Sequence, residues 1–236
     1  MKAVFLFEGD VKQNSITPRD IRNFIMSKLN DVDKNVMDKL ANKDKVGNEQ
    51  SLFIYPKPRP NSFEVLNYSN DFQAMSLLET VIMGTDGKGC DATLAGNEIK
   101  IKKILWKEEE YQLPVKELSI YKTRTPIIIS VNNVEHKMAY AFAEKNNLDT
   151  LLKKRIIDIT KMQCKQFFNL EIEIDDLDIK IMNINKITVY PDSINRKGVY
   201  YQAVYCEFVS NYKLPRFLGY QTGLGYGEIL TKNFGE

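Results

Sequence analysis

Histidine occurs once, at His136, and cysteine three times, at the widely spaced Cys90, Cys164 and Cys206. A structural zinc site needs clustered ligands and a disulfide framework needs paired cysteines, so spacing argues against both. A Ser–His or Cys–His triad would have to rest on His136 alone. No apolar run approaches the roughly 20 residues of a membrane-spanning helix. The N-terminal stretch KAVFLFEG alternates apolar and polar residues, unlike the apolar core of a secretory signal. The chain therefore reads as a cytosolic protein without membrane contact. A charge of one sign is lacking too: 33 basic and 31 acidic side chains leave a net +2, which does not by itself indicate nucleic acid. What is present is 43% hydrophobic residues in a chain of 236, enough for one large domain or two small ones with a real core.

Charge distribution says more than its sum. From Lys145 to Lys165, Lys145, Lys153, Lys154, Arg155, Lys161 and Lys165 face only Asp149 and Asp158. From Lys186 to Phe217, Lys186, Arg196, Lys197, Lys213 and Arg216 face only Asp192 and Glu207. Positive charge is concentrated in the C-terminal half, as a polyanion-binding face requires, although solvated basic helices produce the same pattern.

Periodicity predicts a strand over Lys2 to Glu8. A helix follows, capped by Thr17 with Pro18 at its first position, carrying Ile21, Phe24, Ile25 and Leu29 and running to about Ala41. The polar stretch from Asn42 to Gln50 is a loop. Strands follow at Ser51 to Tyr55 and Ser62 to Tyr68, joined by the stiff PKPRP, then a helix over Asn70 to Met83 ending at GTDGKG. The charged NEIKIKKILWKEEE reads as an edge strand. Strand, helix, strand, strand, helix, strand is the ferredoxin-like, RNA-recognition-like order. It starts again with LSIYK, PIIIS, a helix from about Leu148 to Phe168, and a hairpin turning at PDSINRKG. The expected architecture is α+β: tandem ferredoxin-like domains with antiparallel sheets, at residues 1–110 and 117–236.

The most informative stretch is LPRFLGYQTGLGYGEI, where Gly219, Gly223, Gly225 and Gly227 follow G-x-x-x-G-x-G-x-G. Glycines at this density permit positive φ and close backbone approach to a phosphodiester. The stretch follows a hairpin and precedes a strand, so neither a dinucleotide fold nor a P-loop fits its context. Lys213 and Arg216 flank it, with Tyr212, Tyr220 and Tyr226 interleaved. Cations for phosphates, aromatics for bases and glycines for access suit single-stranded RNA. A glycine-rich turn closing a sheet edge is the structural alternative.

The run RKGVYYQAVYCEFVSNYKLPRFLGYQTGLGYGEI resembles the C-terminal signature of the CRISPR repeat-cleaving endoribonucleases of the RAMP superfamily. SLFIYP resembles their strand ending in Tyr-Pro, and TPIIISVNN their Thr-Pro entry to the second half. The resemblance implies the same tandem fold, a cytoplasmic role in antiviral defence, and cleavage of CRISPR repeat RNA, single-stranded or stem-loop, without metal or cofactor. In that chemistry the ribose 2′-hydroxyl attacks the adjacent phosphate. It also implies RNA contacts at Lys154, Lys161, Arg196, Lys197, Lys213, Arg216, Gly219, Tyr220, Gln221, Gly223, Gly225 and Gly227. The protein would act as a monomer or homodimer, or within a CRISPR effector complex.

The histidine that such enzymes carry before the Tyr-Pro strand has no counterpart in ANKDKVGNEQ. Lys43 and Lys45 occupy that neighbourhood and are the catalytic candidates, with Tyr55 and Ser51 placed to orient the hydroxyl. A lysine serves as base at neutral pH only when burial or neighbouring cations depress its pKa. His136 lies outside that loop and reads as a surface or capping residue. The acidic run EIEIDDLD alternates with apolar residues and reads as a solvated strand edge rather than a two-metal site. Two alternatives stay open: a RAMP-type subunit that grips guide RNA without cutting it, and a ferredoxin-like interaction domain that binds no RNA.

Overall fold

The computed structural model describes residues 1–9, 11, 16–30, 32–41, 52–68, 72–108, 115–130, 141, 143–144, 147–168, 176–189, 201–219 and 222–232. The chain divides into two compact units, one of Met1–Tyr111 with Gly223–Gly225, the other of Gln112–Thr222 with Tyr226–Glu236. Among the described residues no helix is long and apolar enough to cross a membrane.

Unit 1 contains β1 (Lys2–Glu8), α1 (Pro18–Leu29), α2 (Lys34–Leu40), β2 (Phe53–Ile54), β3 (Ser62–Asn67), α3 (Phe72–Met83), β4 (Cys90–Leu94) and β5 (Asn97–Lys107). The capping box at α1 forms as expected: Thr17 Oγ1 accepts from the Asp20 N–H at 3.3 Å, and the Thr17 N–H donates to Asp20 Oδ2 at 2.8 Å. The helical reading to Ala41 resolves into two helices. Asp33 adopts an extended conformation and accepts from the Asn35 and Val36 N–H groups, starting a new helix instead of continuing the old one. Ile21, Phe24, Ile25 and Leu29 of α1 are buried with Phe5, Phe63 and Met75, and the rings of Phe5 and Phe63 stack with centroids 4.7 Å apart.

The antiparallel sheet of unit 1 has the order β2-β3-β1-β5-β4. The first four strands keep the ferredoxin-like order, and β4 is an addition hairpinned onto β5. The expectation that NEIKIKKILWKEEE forms an edge is thus corrected. Its alternation does reflect one solvated face, but β4, hidden in sequence by flanking glycines, pairs along its outer side from Asn97 to Ile101.

Unit 2 contains β6 (Lys116–Thr123), β7 (Ile127–Ser130), α4 (Leu148–Phe168), β8 (Ile179–Val189), β9 (Tyr201–Tyr212) and β10 (Ile229–Lys232). β8 pairs along β9 from Tyr201 to Ser210, so β6 and β7 share the other edge of β9, opposite its C-terminal and N-terminal parts respectively. They are two halves of one strand line interrupted at Arg124–Pro126. β10 pairs with β6. The order β10-β6-β9-β8 repeats the ferredoxin-like plan, with one substitution: between β9 and β10, where unit 1 places α3, lies the glycine-rich segment. Leu152, Ile156 and Ile159 of α4 form a core with Val204, Cys206 and Phe208, and Tyr121 stacks on Phe208 with centroids 5.4 Å apart.

Burial pushes the Cys164 thiol up to about 11 and the Cys206 thiol up to about 12. Cys90 is only half-buried; burial raises it and the charge of Lys28 partly opposes that rise. Ellman's reagent at pH 8 is therefore expected to titrate Cys90 alone in the native protein and all three cysteines after denaturation. Rapid native labelling of Cys206 would show that α4 does not cover the sheet as described.

Candidate nucleic-acid interface

In unit 2 the glycine-rich segment is tied down at successive points. The Leu214 N–H donates to the Tyr121 hydroxyl at 2.8 Å, and buried Gln163 of α4 donates its side-chain amide to the Phe217 carbonyl at 2.8 Å. The chain then doubles back: Leu218 N–H donates to Gly227 O at 2.8 Å, and Ile229 N–H to Arg216 O at 2.8 Å. Gly227 N–H reaches Pro126 O at 2.9 Å, in the break between β6 and β7. At Gly227 φ is +75°, and a Cβ there would overlap the Leu218 carbonyl. This glycine is required by protein backbone crossing protein backbone.

Around that crossing three ionic side chains meet. Both Glu228 carboxylate oxygens accept from Arg124 Nη1 at 3.1 Å, and Oε1 also accepts from Arg216 Nη2 at 2.7 Å and Nε at 3.1 Å. Arg216 additionally stacks over the Phe217 ring, 5.3 Å from its centroid. The sequence reading took Arg216 as a cation for RNA phosphates; the structure engages it with Glu228 and leaves it partly exposed.

In unit 1, Gly223–Gly225 lies against Tyr55. The Tyr55 N–H donates to Gly223 O at 3.4 Å, and a Cβ on Gly225, where φ is +73°, would overlap the Tyr55 carbonyl and press on Pro18. The Tyr55 side chain is fully buried and its hydroxyl donates to the Leu40 carbonyl at 2.7 Å. Beside it, Arg22 Nη2 donates to the Ala41 carbonyl at 2.8 Å. The carbonyls at the end of α2, which lack partners within the helix, are thus satisfied by a tyrosine and an arginine. Burial raises the Tyr55 hydroxyl well above the ordinary tyrosine range, opposed in lesser part by Arg22, so it remains a protonated donor. The Tyr55 hydroxyl, which the sequence reading took to orient a reacting hydroxyl, donates to the Leu40 carbonyl at the end of α2.

Lys154 is exposed on α4, with Lys161 half-buried two turns further along, and Lys213 is half-buried where its N–H donates to Val115 O at 2.8 Å. Gly219, at φ +97°, packs its backbone against Ile127 and Ile128. Asp176 pairs with Lys116 and Tyr212, and Asp178 with Lys153; the lysines hold both carboxyls below the usual range. Lys43, Lys45, Ser51, His136, Arg196, Lys197, Tyr220 and Gln221 lie outside the described residues. Among the described residues no group of three or more His, Cys, Asp or Glu side chains could hold a metal.

No family model matches the sequence, and no curated protein matches it in sequence. Solved structures do match in three dimensions. The crystal structure of Cas6b superposes with a TM-score of 0.67 at 13% identity, over 98% of this chain and 100% of that one. The fold is the Cas6 and RAMP fold. A RAMP protein binding different RNA substrates superposes with a TM-score of 0.60 at 11% identity, over 99% of this chain and 100% of that one. A CRISPR RNA processing endoribonuclease Cas6b superposes with a TM-score of 0.54 at 13% identity, over 98% and 100%.

Within this Cas6-type fold the sequence reading missed Arg22, Arg124, Gln163 and Glu228. Arg124 and Glu228 are 104 residues apart, so no local spacing links them. The one available signal was the charge of Glu228, set between Gly227 and the strand that begins at Ile229.

Proposed function

We propose that the chain binds CRISPR repeat RNA and cleaves it by attack of a ribose 2′-hydroxyl on the adjacent phosphate, without metal. The observation that carries this reading is the end-to-end likeness to RNA-processing and RNA-binding RAMP structures, joined to a glycine-rich, cation-flanked segment in the slot of a helix. On this reading Lys43 and Lys45 supply general acid–base chemistry or stabilise the phosphorane, Tyr55 orients the reacting hydroxyl or acts through the end of α2 that it holds, and Lys154, Lys161, Arg196, Lys197, Lys213 and Arg216 contact RNA with Gly219 to Gly227.

The test is incubation with a panel of labelled CRISPR repeat RNAs in excess EDTA, together with copies bearing one 2′-deoxy substitution at each candidate position. Cleavage that survives EDTA and vanishes with a single deoxy substitution is the expected result. A second reading, a guide-RNA-binding subunit without catalysis, is favoured by one observation: the Tyr55 hydroxyl is committed to the Leu40 carbonyl. Tight, salt-sensitive binding to every repeat with no cut in any would select it.

A further inference from the structure

Glu228 is fully buried, which a carboxylate tolerates only when its charge is answered nearby. Its place is fixed by the backbone as well as by the arginines. The Arg124 N–H donates to the Glu228 carbonyl at 2.7 Å, Thr125 N–H to the same oxygen at 3.3 Å, and the Glu228 N–H to Thr125 Oγ1 at 2.8 Å. Phe217 and Glu228 form an isolated antiparallel bridge, which brings Arg216 alongside. One carboxylate charge is therefore set rigidly between two guanidiniums whose side chains remain 24% and 20% exposed. Stability alone is a weak reason for such a cluster, since well-packed apolar residues serve a core as well. A guanidinium held in one orientation by a buried carboxylate, with part of its surface in solvent, suits contact with a phosphodiester.

We propose that Arg124 and Arg216 form a phosphate-contact site for an RNA backbone, and that Glu228 is the positioning residue that aims both guanidiniums. This rests on the RNA-binding reading above and adds Arg124 and Glu228 to it. The contact is with the backbone, so it carries no base preference and acts equally on any single strand.

Charge and position predict opposite signs for Glu228→Gln, which raises the net charge by one. If the cluster only supplied positive potential, RNA would bind more tightly. With Glu228 as the positioning residue, the amide keeps one acceptor oxygen but loses the negative charge and turns the second acceptor into a donor facing Arg124, so the two guanidiniums are held less firmly and affinity falls about tenfold. Arg124→Gln is expected to weaken binding by a similar factor and to make the slope of log affinity against log salt shallower by about 0.7–0.9. Arg124→Lys restores the slope but not the full affinity, because a point charge replaces the fork.

The experiment is fluorescence anisotropy across a salt series, with a labelled CRISPR repeat RNA and a labelled oligouridine as probes. Circular dichroism and urea melts accompany each variant. Equal losses on both probes are expected. A folded Glu228→Gln that binds as tightly as the parent, or more tightly, overturns the positioning role. Arg124→Gln with unchanged affinity and slope overturns the site. Should Glu228→Gln fail to fold, the two Arg124 variants decide, since they leave Glu228 paired with Arg216. A parent protein with no salt-dependent binding to either probe overturns the proposed function and this inference together, an outcome distinct from the other two.

Discussion

Replacing Gly227 with alanine is expected to lower the urea midpoint of unit 2 by the equivalent of about 2–4 kcal/mol. The two contributions are separate. A non-glycine residue at φ +75° carries strain of roughly 1–2 kcal/mol, and the new methyl group would overlap the Leu218 carbonyl, which must then move. That carbonyl belongs to a residue whose own N–H is bonded to Gly227 O, so the displacement cannot stay local. The comparison that isolates the effect is Gly87→Ala. Gly87 has a similar φ of +67° but nothing within 4 Å of its would-be Cβ, so it carries the strain without the overlap. Equal losses at both positions would show that the crossing of backbones at Gly227 is not as tight as described.

The second large effect concerns the exit of α2. Alanine at both Lys43 and Lys45 is expected to reduce cleavage of repeat RNA by about 10²–10⁴-fold, the range for removal of general acid–base groups, with RNA affinity nearly unchanged. Tyr55→Phe should behave differently. It keeps the ring but leaves the buried Leu40 carbonyl without its donor, a stability loss of about 1–3 kcal/mol. Because Leu40 closes α2 just before Lys43 and Lys45 in the chain, the turnover rate should fall about tenfold while the substrate concentration at half-maximal rate stays put. A phenylalanine variant as dead as the double alanine variant would return Tyr55 to the reacting atoms. One with full turnover and only a lower melting point would make it purely structural.

Much of this architecture was readable because its signals are local. The box formed by Thr17 and Asp20, the apolar stripe of α4 from Leu148 onward and the alternation of Lys2–Glu8 each lie within a few turns or residues, and each formed where periodicity put it. The breaks were not. Asp33 could extend a helix or cap a new one, and only the extended backbone at that residue decides. β4 is short and bounded by glycines, so its pairing with β5 has no periodicity to announce it. At the candidate site the glycines stood out in the sequence as an RNA path, and the close contacts the structure shows at Gly225 and Gly227 are with Tyr55 and Leu218. Tyr55 was noticed for its hydroxyl, whereas its burial depends on residues of α1, α2 and the glycine-rich segment that no window spans. Glu228 and Arg124 became partners only through the pairing of β10 with β6.

That pairing also sets an order of events during synthesis. All five strands of the unit 1 sheet lie within the first 107 residues, so its sheet can assemble while most of unit 2 is still to be made. β6 must instead wait for a strand whose partners in register, such as Thr123 and Ile229, are separated by nearly half the chain. Contacts of such long separation form late, because the loop between them must be closed before any pairing energy is returned. A ribosome-bound chain that has not yet released Ile229–Lys232 therefore carries Arg124 without Glu228. At that stage Arg124 and Arg216 are present without the carboxylate that later holds both.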